Sequence, residues 1–275
     1  MVPDNHALLL FRFSEHRWIN AIIEGTLSFS CAGNFVEQAM KTDNNIQGDR
    51  YEGVFARLGI MDTKIASMRR LLGSDLEEIP DGDYVLLRRK SAMLKPIFCF
   101  YGYKAKDALE DCGEIEDFGM HEITHEFDPR MYAGFSEKNW NDSSVPESQR
   151  FTMLILQPKP FIDKINSAIT RECLSYRMGI VDYEKRGADT FFIPPTDDYD
   201  ELFCKRPMYS YQYEGRVCLK GMSLNDIHDR YPLKIGTLDE RDYKMSHEPL
   251  TMVMRANIGD RGALSEEEHE VLIHG

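Results

Sequence analysis

The chain has 275 residues, of which 42% are hydrophobic, and a formal net charge of −13. No apolar run approaches the roughly 20 residues that a membrane-spanning helix needs, no charged, apolar and cleavable leader pattern opens the sequence, and the strong acidity argues against a general nucleic-acid binder. Cys31, Cys99, Cys112, Cys173, Cys204 and Cys218 show no CxxC spacing, which reads as reduced thiols in a cytoplasmic protein.

Charge is uneven along the chain. Residues 57–106 hold ten Lys/Arg against six Asp/Glu, a net of +4, and residues 107–142 hold eleven Asp/Glu against two Lys/Arg, a net of −9. Both stretches read first as solvated faces, and the basic one also admits a local anion site.

In chain order, Ala7–Phe13 reads as a strand. Ser14 stands where a helix N-cap belongs, and Trp18, Ile19, Ile22 and Ile23 recur at helical spacing up to Gly25. Thr26–Ser30 alternates in the manner of a strand. Asp62 caps a helix carrying Ile65, Met68, Leu71 and Leu72, which ends at Gly73. Strands are expected at Tyr84–Leu87, Ile97–Tyr101, Phe151–Leu156, Tyr209–Leu219 and Leu250–Arg255. Pro160 suits the first turn of a helix bearing Phe161, Ile165, Ala168 and Ile169. Ser265 with Glu268 forms a capping box for a short C-terminal helix. Segments near 31–53, 104–118, 139–149 and 194–200 read as irregular. Without a βαβα rhythm, the expectation is one α+β domain over 1–275, with a mixed, mostly antiparallel sheet flanked by helices. Neither GxGxxG nor GxxxxGK[ST] occurs, so the usual phosphate loops are missing.

His121-Glu122-Ile123-Thr124-His125 matches HExxH. On a helix, residues four apart share a face, so His121 and His125 could hold one Zn²⁺ with Glu122 as general base. HEITHEFD at 121–128 resembles the zinc helix of neprilysin-like metallopeptidases. That resemblance implies a third ligand from a downstream Glu-Asn-Ile-x-Asp string, where this chain has Ala256-Asn257-Ile258-Gly259-Asp260. Gly119 and Asp128-Pro129 leave room for about two helical turns. A strand with His121, Ile123, His125 and Phe127 on one face fits the same residues.

Tyr211-Gln212-Tyr213-Glu214-Gly215-Arg216-Val217 reads as a strand with Gln212, Glu214 and Arg216 on one face. Glu214 and Arg216 are then either same-face partners or the lining of a cleft. The order of an FRF strand, TLSFS, Gly48-Asp49…Glu52-Gly53, Phe98-Cys99-Phe100, and Lys205 before YQYEGR resembles a widespread group of uncharacterised bacterial and phage proteins found near defence and toxin genes. The same order resembles mono-ADP-ribosyltransferases. That likeness implies NAD as substrate, Arg12 on its phosphates or ribose, and Ser28 or Ser30 in the place of the family's Ser-rich strand. It further implies Gln212 choosing a protein or nucleic-acid acceptor, Glu214 as the catalytic carboxylate on the nicotinamide ribose, and Arg216 among the NAD-binding residues with Arg12, Ser28 and Ser30. No Ser-Thr-Ser string is present, and Gly215-Arg216 replaces the family's apolar continuation.

Three further constellations carry chemistry. His16 with Ser14, Ser28 or Ser30 has the residue types of nucleophilic catalysis, without a GxSxG elbow. Asp49 and Glu52 could ligate a divalent cation or simply face water. Cys99 reads as a core thiol. The functional expectations are therefore an NAD-consuming ADP-ribosyltransferase-like toxin or phage-defence effector, a zinc hydrolase at 121–125, or a non-catalytic binding or sensor protein.

Overall fold

A computed structural model describes residues 7–42, 48–112, 119–131, 144–247, 252–258 and 264–272. The fold is α+β with mostly antiparallel sheets. The chain gathers into two compact units, each assembled from separated segments. Unit 1 takes residues 1–26, 100–166 and 235–275, and unit 2 takes residues 27–99 and 167–234. Such units leave no linker in the sequence, because the chain leaves and re-enters them inside regular elements.

Unit 1 is built on β1 (Ala7–Glu15). Its run ALLLFRF is apolar on both faces because it is a central strand. It pairs antiparallel with the second half of β6 (Pro96–Lys104), Phe11 opposite Tyr101, and with β8 (Phe151–Leu156), Arg12 opposite Leu154. β13 (Tyr243–Ser246) extends β8 on its other edge. Leu9, Phe11, Phe13, Tyr103, Phe127, Phe151 and Met153 form the core, with Phe127 edge-on to Phe11 at 4.9 Å. Helix α1 (His16–Ile23) buries Ile19 and Ile22. Its N-cap is Glu15 rather than Ser14, because β1 keeps pairing with β8 through Glu15 opposite Phe151.

A second sheet of unit 1 runs β15 (Leu264–Leu272), β14 (Met252–Ile258), β7 (Gly119–His125). The helix expected from Ser265 and Glu268 is therefore a strand: the capping box lost to the ladder that β14 offers. α5 (Ala105–Cys112) occupies part of the segment expected to be irregular; it buries Ala105 and Ala108, Asp107 accepts from the Lys104 N–H at 3.0 Å, and Asp111 accepts from the Tyr103 hydroxyl at 2.7 Å.

Unit 2 carries β2 (Thr26–Cys31) against the first half of β6, Ser30 opposite Ile97, with β12 (Arg230–Lys234) on β2's far edge. β11 (Glu214–Leu219), buried along its length, pairs with β6 and with β9 (Tyr176–Ile180). A four-stranded sheet follows the order β10 (Phe191–Phe192), β3 (Val54–Gly59), β5 (Tyr84–Arg89), β4 (Leu76–Asp81). α3 (Thr63–Leu72) is capped as expected, with the Asp62 side chain accepting from the Lys64 N–H. α2 (Ala32–Thr42) overturns the irregular reading of 31–53 over its own length. Ala32, Val36 and Ala39 are buried at i, i+4 and i+7, a helical period, with the half-buried Phe35 beside it. A four-residue helix, α4 (Lys90–Met93), follows β5. α6 (Pro158–Arg171), whose residues up to 166 belong to unit 1, has Pro160 in its first turn and buries Phe161, Ile165, Ala168 and Ile169, as its spacing predicts. Residues 43–47, 113–118 and 139–143, which share the other irregular readings, lie outside the described residues.

Candidate functional site: a buried charge network in unit 2

The residues around Glu214 depart from the expected long strand. Pro207–Gln212 is a 3-10 helix with Pro207 at its start, and Tyr213 sits in the left-handed region at φ 43° and ψ 42°. Only from Glu214 does β11 begin. Gln212 and Glu214 therefore do not share a strand face. Alternation over YQYEGR mimicked a strand, while the proline at 207 had already set a turn.

Gln212 and Glu214 nevertheless meet at one cation. The Lys205 ammonium donates to Gln212 Oε1 at 2.8 Å and to Glu214 Oε2. The other oxygen of Glu214 accepts from Arg216 Nε at 2.6 Å. Arg216, 1% exposed, also grips Glu52 bidentately, Nη1 to Oε1 at 2.6 Å and Nη2 to Oε2 at 2.9 Å, and donates to the Leu202 carbonyl. The Glu214 N–H donates to the Tyr183 hydroxyl oxygen at 2.9 Å. Glu52 and Asp49, read from sequence as cation ligands or loop acids, are thus buried members of an ion-pair network.

The network extends on both sides. Arg206 Nη2 reaches Asp49 Oδ1 at 2.8 Å, and its guanidinium lies 4.4 Å from the Tyr51 ring centroid. Arg89 Nε donates to Glu201 Oε1 at 2.6 Å. Arg186 donates to the carbonyls of Tyr51, Val54 and Glu201. Four carboxylates (Asp49, Glu52, Glu201, Glu214) therefore pair with four cations (Arg89, Lys205, Arg206, Arg216), and Arg186 joins them through backbone carbonyls.

Electrostatics fix the protonation states. Burial alone would raise the Glu214 carboxyl, but the charges of Arg216 and Lys205 outweigh it and hold the group well below the usual carboxylate range. Burial likewise opposes the charge on Arg216, and Glu214 with Glu52 reverses that, raising it well above its ordinary value. Glu201 goes the other way: its burial outweighs Arg89 and raises it. Cys99, beside Glu214, is pushed up by burial and by that carboxylate, so it is a protonated thiol rather than a nucleophile. At neutral pH the site thus offers an ionised carboxylate, an ammonium and an amide, and the Cys99 thiol beside them is not activated.

The remaining candidates lie on other elements. Ser28 is exposed on β2, and Ser30 accepts from Asn34 Nδ2 at 3.4 Å, both in unit 2. Arg12 is half-buried on β1 and belongs to unit 1. His121, Glu122 and His125 lie on β7, a strand, with Ile123 buried between the histidines. Four residues of strand span ~13 Å, against about 6 Å across one helical turn, so the helical HExxH spacing is not present here. This corrects the helical reading of 121–125 on which the zinc-hydrolase expectation was built. His125 instead pairs through Nδ1 with Asp111 at 2.7 Å.

In the sequence Lys205 stands out only as a marker of order, and Arg89, Arg186, Glu201 and Arg206 carry no signal as site residues. Apart from Lys205-Arg206 beside the YQYEGR segment nothing local marks them, since burial of an arginine has no periodic signature. Compared with family models, with curated proteins and with solved structures, the chain finds no match.

Proposed function

We propose that the protein is an NAD-consuming, ADP-ribosyltransferase-like effector of the toxin or phage-defence kind, with Glu214 as its catalytic carboxylate. One observation carries this reading: Gln212 and an ionised Glu214 converge on the same Lys205 ammonium. In the proposed reaction the bond between nicotinamide and ribose C1′ breaks, and its electron pair leaves with nicotinamide. Glu214 stabilises the cationic ribosyl transition state. An acceptor nucleophile on protein or nucleic acid then bonds to C1′ and releases its proton to solvent. The ribose 2′-hydroxyl takes the place of Lys205 as donor to Glu214 Oε2, so substrate entry requires the lysine to swing aside. The parts given to Arg12, Ser28 and Ser30 rest on the resemblance alone.

Incubating the purified protein with NAD tests the reading. Nicotinamide release by the parent protein, abolished in Glu214→Gln and retained in Gln212→Ala with altered acceptor labelling, is the expected result. Absence of turnover in the parent protein, or turnover that survives Glu214→Gln, sinks it. Circular dichroism of each variant separates loss of chemistry from loss of fold.

A second reading has its own observation. The Glu214 side chain is 5% exposed and both its oxygens are engaged. A non-catalytic binding or sensor protein needs such a network only to hold unit 2 together. It predicts that Glu214→Gln lowers stability without changing any NAD-dependent readout.

A further inference from the structure

A strap of irregular chain lies against the charge network of unit 2. Residues 183–190, between β9 and β10, form neither helix nor strand. Arg186 is the one buried side chain among them, 4% exposed, and no apolar side chain of the stretch is buried. The segment carries its own turn. Asp182 Oδ1 accepts from the Glu184 and Lys185 N–H groups at 2.9 and 3.1 Å, and the Gly187 N–H donates to the Glu184 carbonyl at 2.9 Å. It can therefore move as one piece.

The bonds that fasten the strap to the rest of unit 2 are polar. The Tyr183 hydroxyl accepts from the Glu214 N–H at 2.9 Å. Arg186 donates through Nη1 to the Tyr51 carbonyl at 2.8 Å, and through Nη2 to the Val54 carbonyl and, at 2.8 Å, to the Glu201 carbonyl. Arg57 Nη1 donates to the Asp189 carbonyl. Tyr51 and Val54 flank Glu52 in the chain. The two latching side chains thus reach the segments that supply Glu52, Glu201 and Glu214.

Arg186 is a costly fastener. Its three bonds all go to neutral carbonyls, and its Nε is buried with no partner among the described residues. The fields of Glu52 and Asp49 fall short of its desolvation, which holds the guanidinium below its ordinary value. Burial of a full charge is therefore repaid only by backbone dipoles. Opening returns that charge to water, and the hydration regained offsets much of the bonding lost. A segment with exposed backbone and no buried apolar side chain opens before the sheet it lies on.

We propose that residues 183–190 are a lid beside Glu214, latched by Tyr183 and Arg186, which opens as a unit while the sheets of unit 2 stay folded. Its part in admitting NAD to Glu214 rests on the transferase reading; the motion itself does not. Two cysteines report on it. Residue 204 pairs with Asp182 at the root of the lid, and its thiol, 1% exposed, lies in the field of Arg186. Cys218 is fully buried within β11 and becomes accessible only when that strand is lost.

Iodoacetamide labelling of the full chain in low urea, read at each cysteine by peptide mass spectrometry, tests the lid. Cys204 is expected to label about tenfold or more faster than Cys218, and with a shallower urea dependence, because lid opening exposes less surface than loss of the sheet. Arg186→Met is expected to speed Cys204 labelling by about tenfold or more, the factor for losing one charged hydrogen bond. Tyr183→Phe, which removes one neutral acceptor, has the smaller effect. If Arg186→Met does not fold, the contrast between Cys204 and Cys218 in the parent protein decides. One rate and one urea dependence for both thiols overturns the proposal, as does a folded Arg186→Met whose Cys204 labels no faster. Nicotinamide release at limiting NAD is measured on the same proteins. Release that rises in Arg186→Met supports the lid as the way in, and release that stays level while labelling speeds up overturns that role. Fast Cys204 labelling with no release from any of the proteins supports the lid and removes the transferase reading.

Discussion

Replacing Arg216 by Met tests whether the charge network is what holds unit 2. The guanidinium satisfies both oxygens of Glu52, one of Glu214, and the Leu202 carbonyl. Methionine keeps most of the volume and removes every donor. Glu214 retains Lys205, but Glu52, 0% exposed, loses its side-chain ion-pair partner. Removing one partner of a buried pair costs about 3–5 kcal/mol. The stranded Leu202 carbonyl adds ~1–3 kcal/mol. The expected loss is thus at least about 4 kcal/mol, a large part of a stability that is typically ~5–15 kcal/mol. Amide exchange of Glu214–Leu219 measured against urea reads it locally. The sign of the pH response identifies the cause. In the variant Glu52 is a buried carboxylate that has lost its bidentate partner and keeps only the field of Arg186, and desolvation of such a group favours its neutral form. Such a group penalises folding above pH ~4.3, and the penalty is relieved as pH falls. Arg216→Met should therefore gain stability on mild acidification, and adding Glu52→Gln should recover about 2 kcal/mol at neutral pH. A loss under ~1 kcal/mol, or an unaltered pH response, refutes the argument. So does a double variant no better than the single one.

Two other outcomes follow from named groups. Glu214 and Asp81 are both held low, Asp81 by its hydrogen bond to Arg57, so each contributes stability above the unfolded carboxylate range. That contribution is lost as pH falls below ~4. Glu201, raised by burial, partly opposes it. Acid titration of Glu214→Gln, followed by circular dichroism, should show a flatter acid limb than the parent. Gly25→Ala should destabilise unit 1 by about 3 kcal/mol or more. Gly25 has φ +90°, and a Cβ there would stand 2.2 Å from the Gly236 carbonyl carbon, a backbone atom with nowhere to go. Thermal melting of that variant close to the parent's would contradict it.

The legibility of the fold followed the burial pattern. Elements whose apolar residues are contiguous or strictly periodic, such as β1, β8, α3 and α6, could be read, α3 with its Asp62 cap. α2 and α5 could not, because small residues carry much of their buried faces: Ala32 and Ala39, then Ala105 and Ala108. Composition does not mark such a stripe as apolar. The C-terminal strand failed for the opposite reason, a strong local cap signal overridden by a pairing partner elsewhere in the chain. At the site, Glu214 and Arg216 were legible as same-face partners, since both fall within β11. Their link to Glu52 was not, because 164 residues separate Glu52 from Arg216 and no local pattern encodes that distance. The HExxH string shows the converse: a spacing rule for helices says nothing once the backbone is extended.

Lys205 is where the two functional readings part. Its ammonium bridges Gln212 and Glu214, and its side chain is 9% exposed. If the 2′-hydroxyl of a ribose replaces it, the lysine is a competitor for the carboxylate. Displacing it at a cost of about 3 kcal/mol lowers apparent NAD affinity by ~150-fold, because only the opened fraction is competent to bind. Lys205→Met removes that competitor while Arg216 still holds Glu214 ionised. Under the transferase reading the variant is less stable yet binds NAD more tightly, by up to that factor, in equilibrium dialysis. Under the structural reading it is less stable and nothing else changes. Stability falls in both cases, so stability alone cannot choose between them. The sign of the change in NAD affinity does, and an unchanged or weakened affinity in a folded Lys205→Met removes the ground for placing a ribose at Glu214.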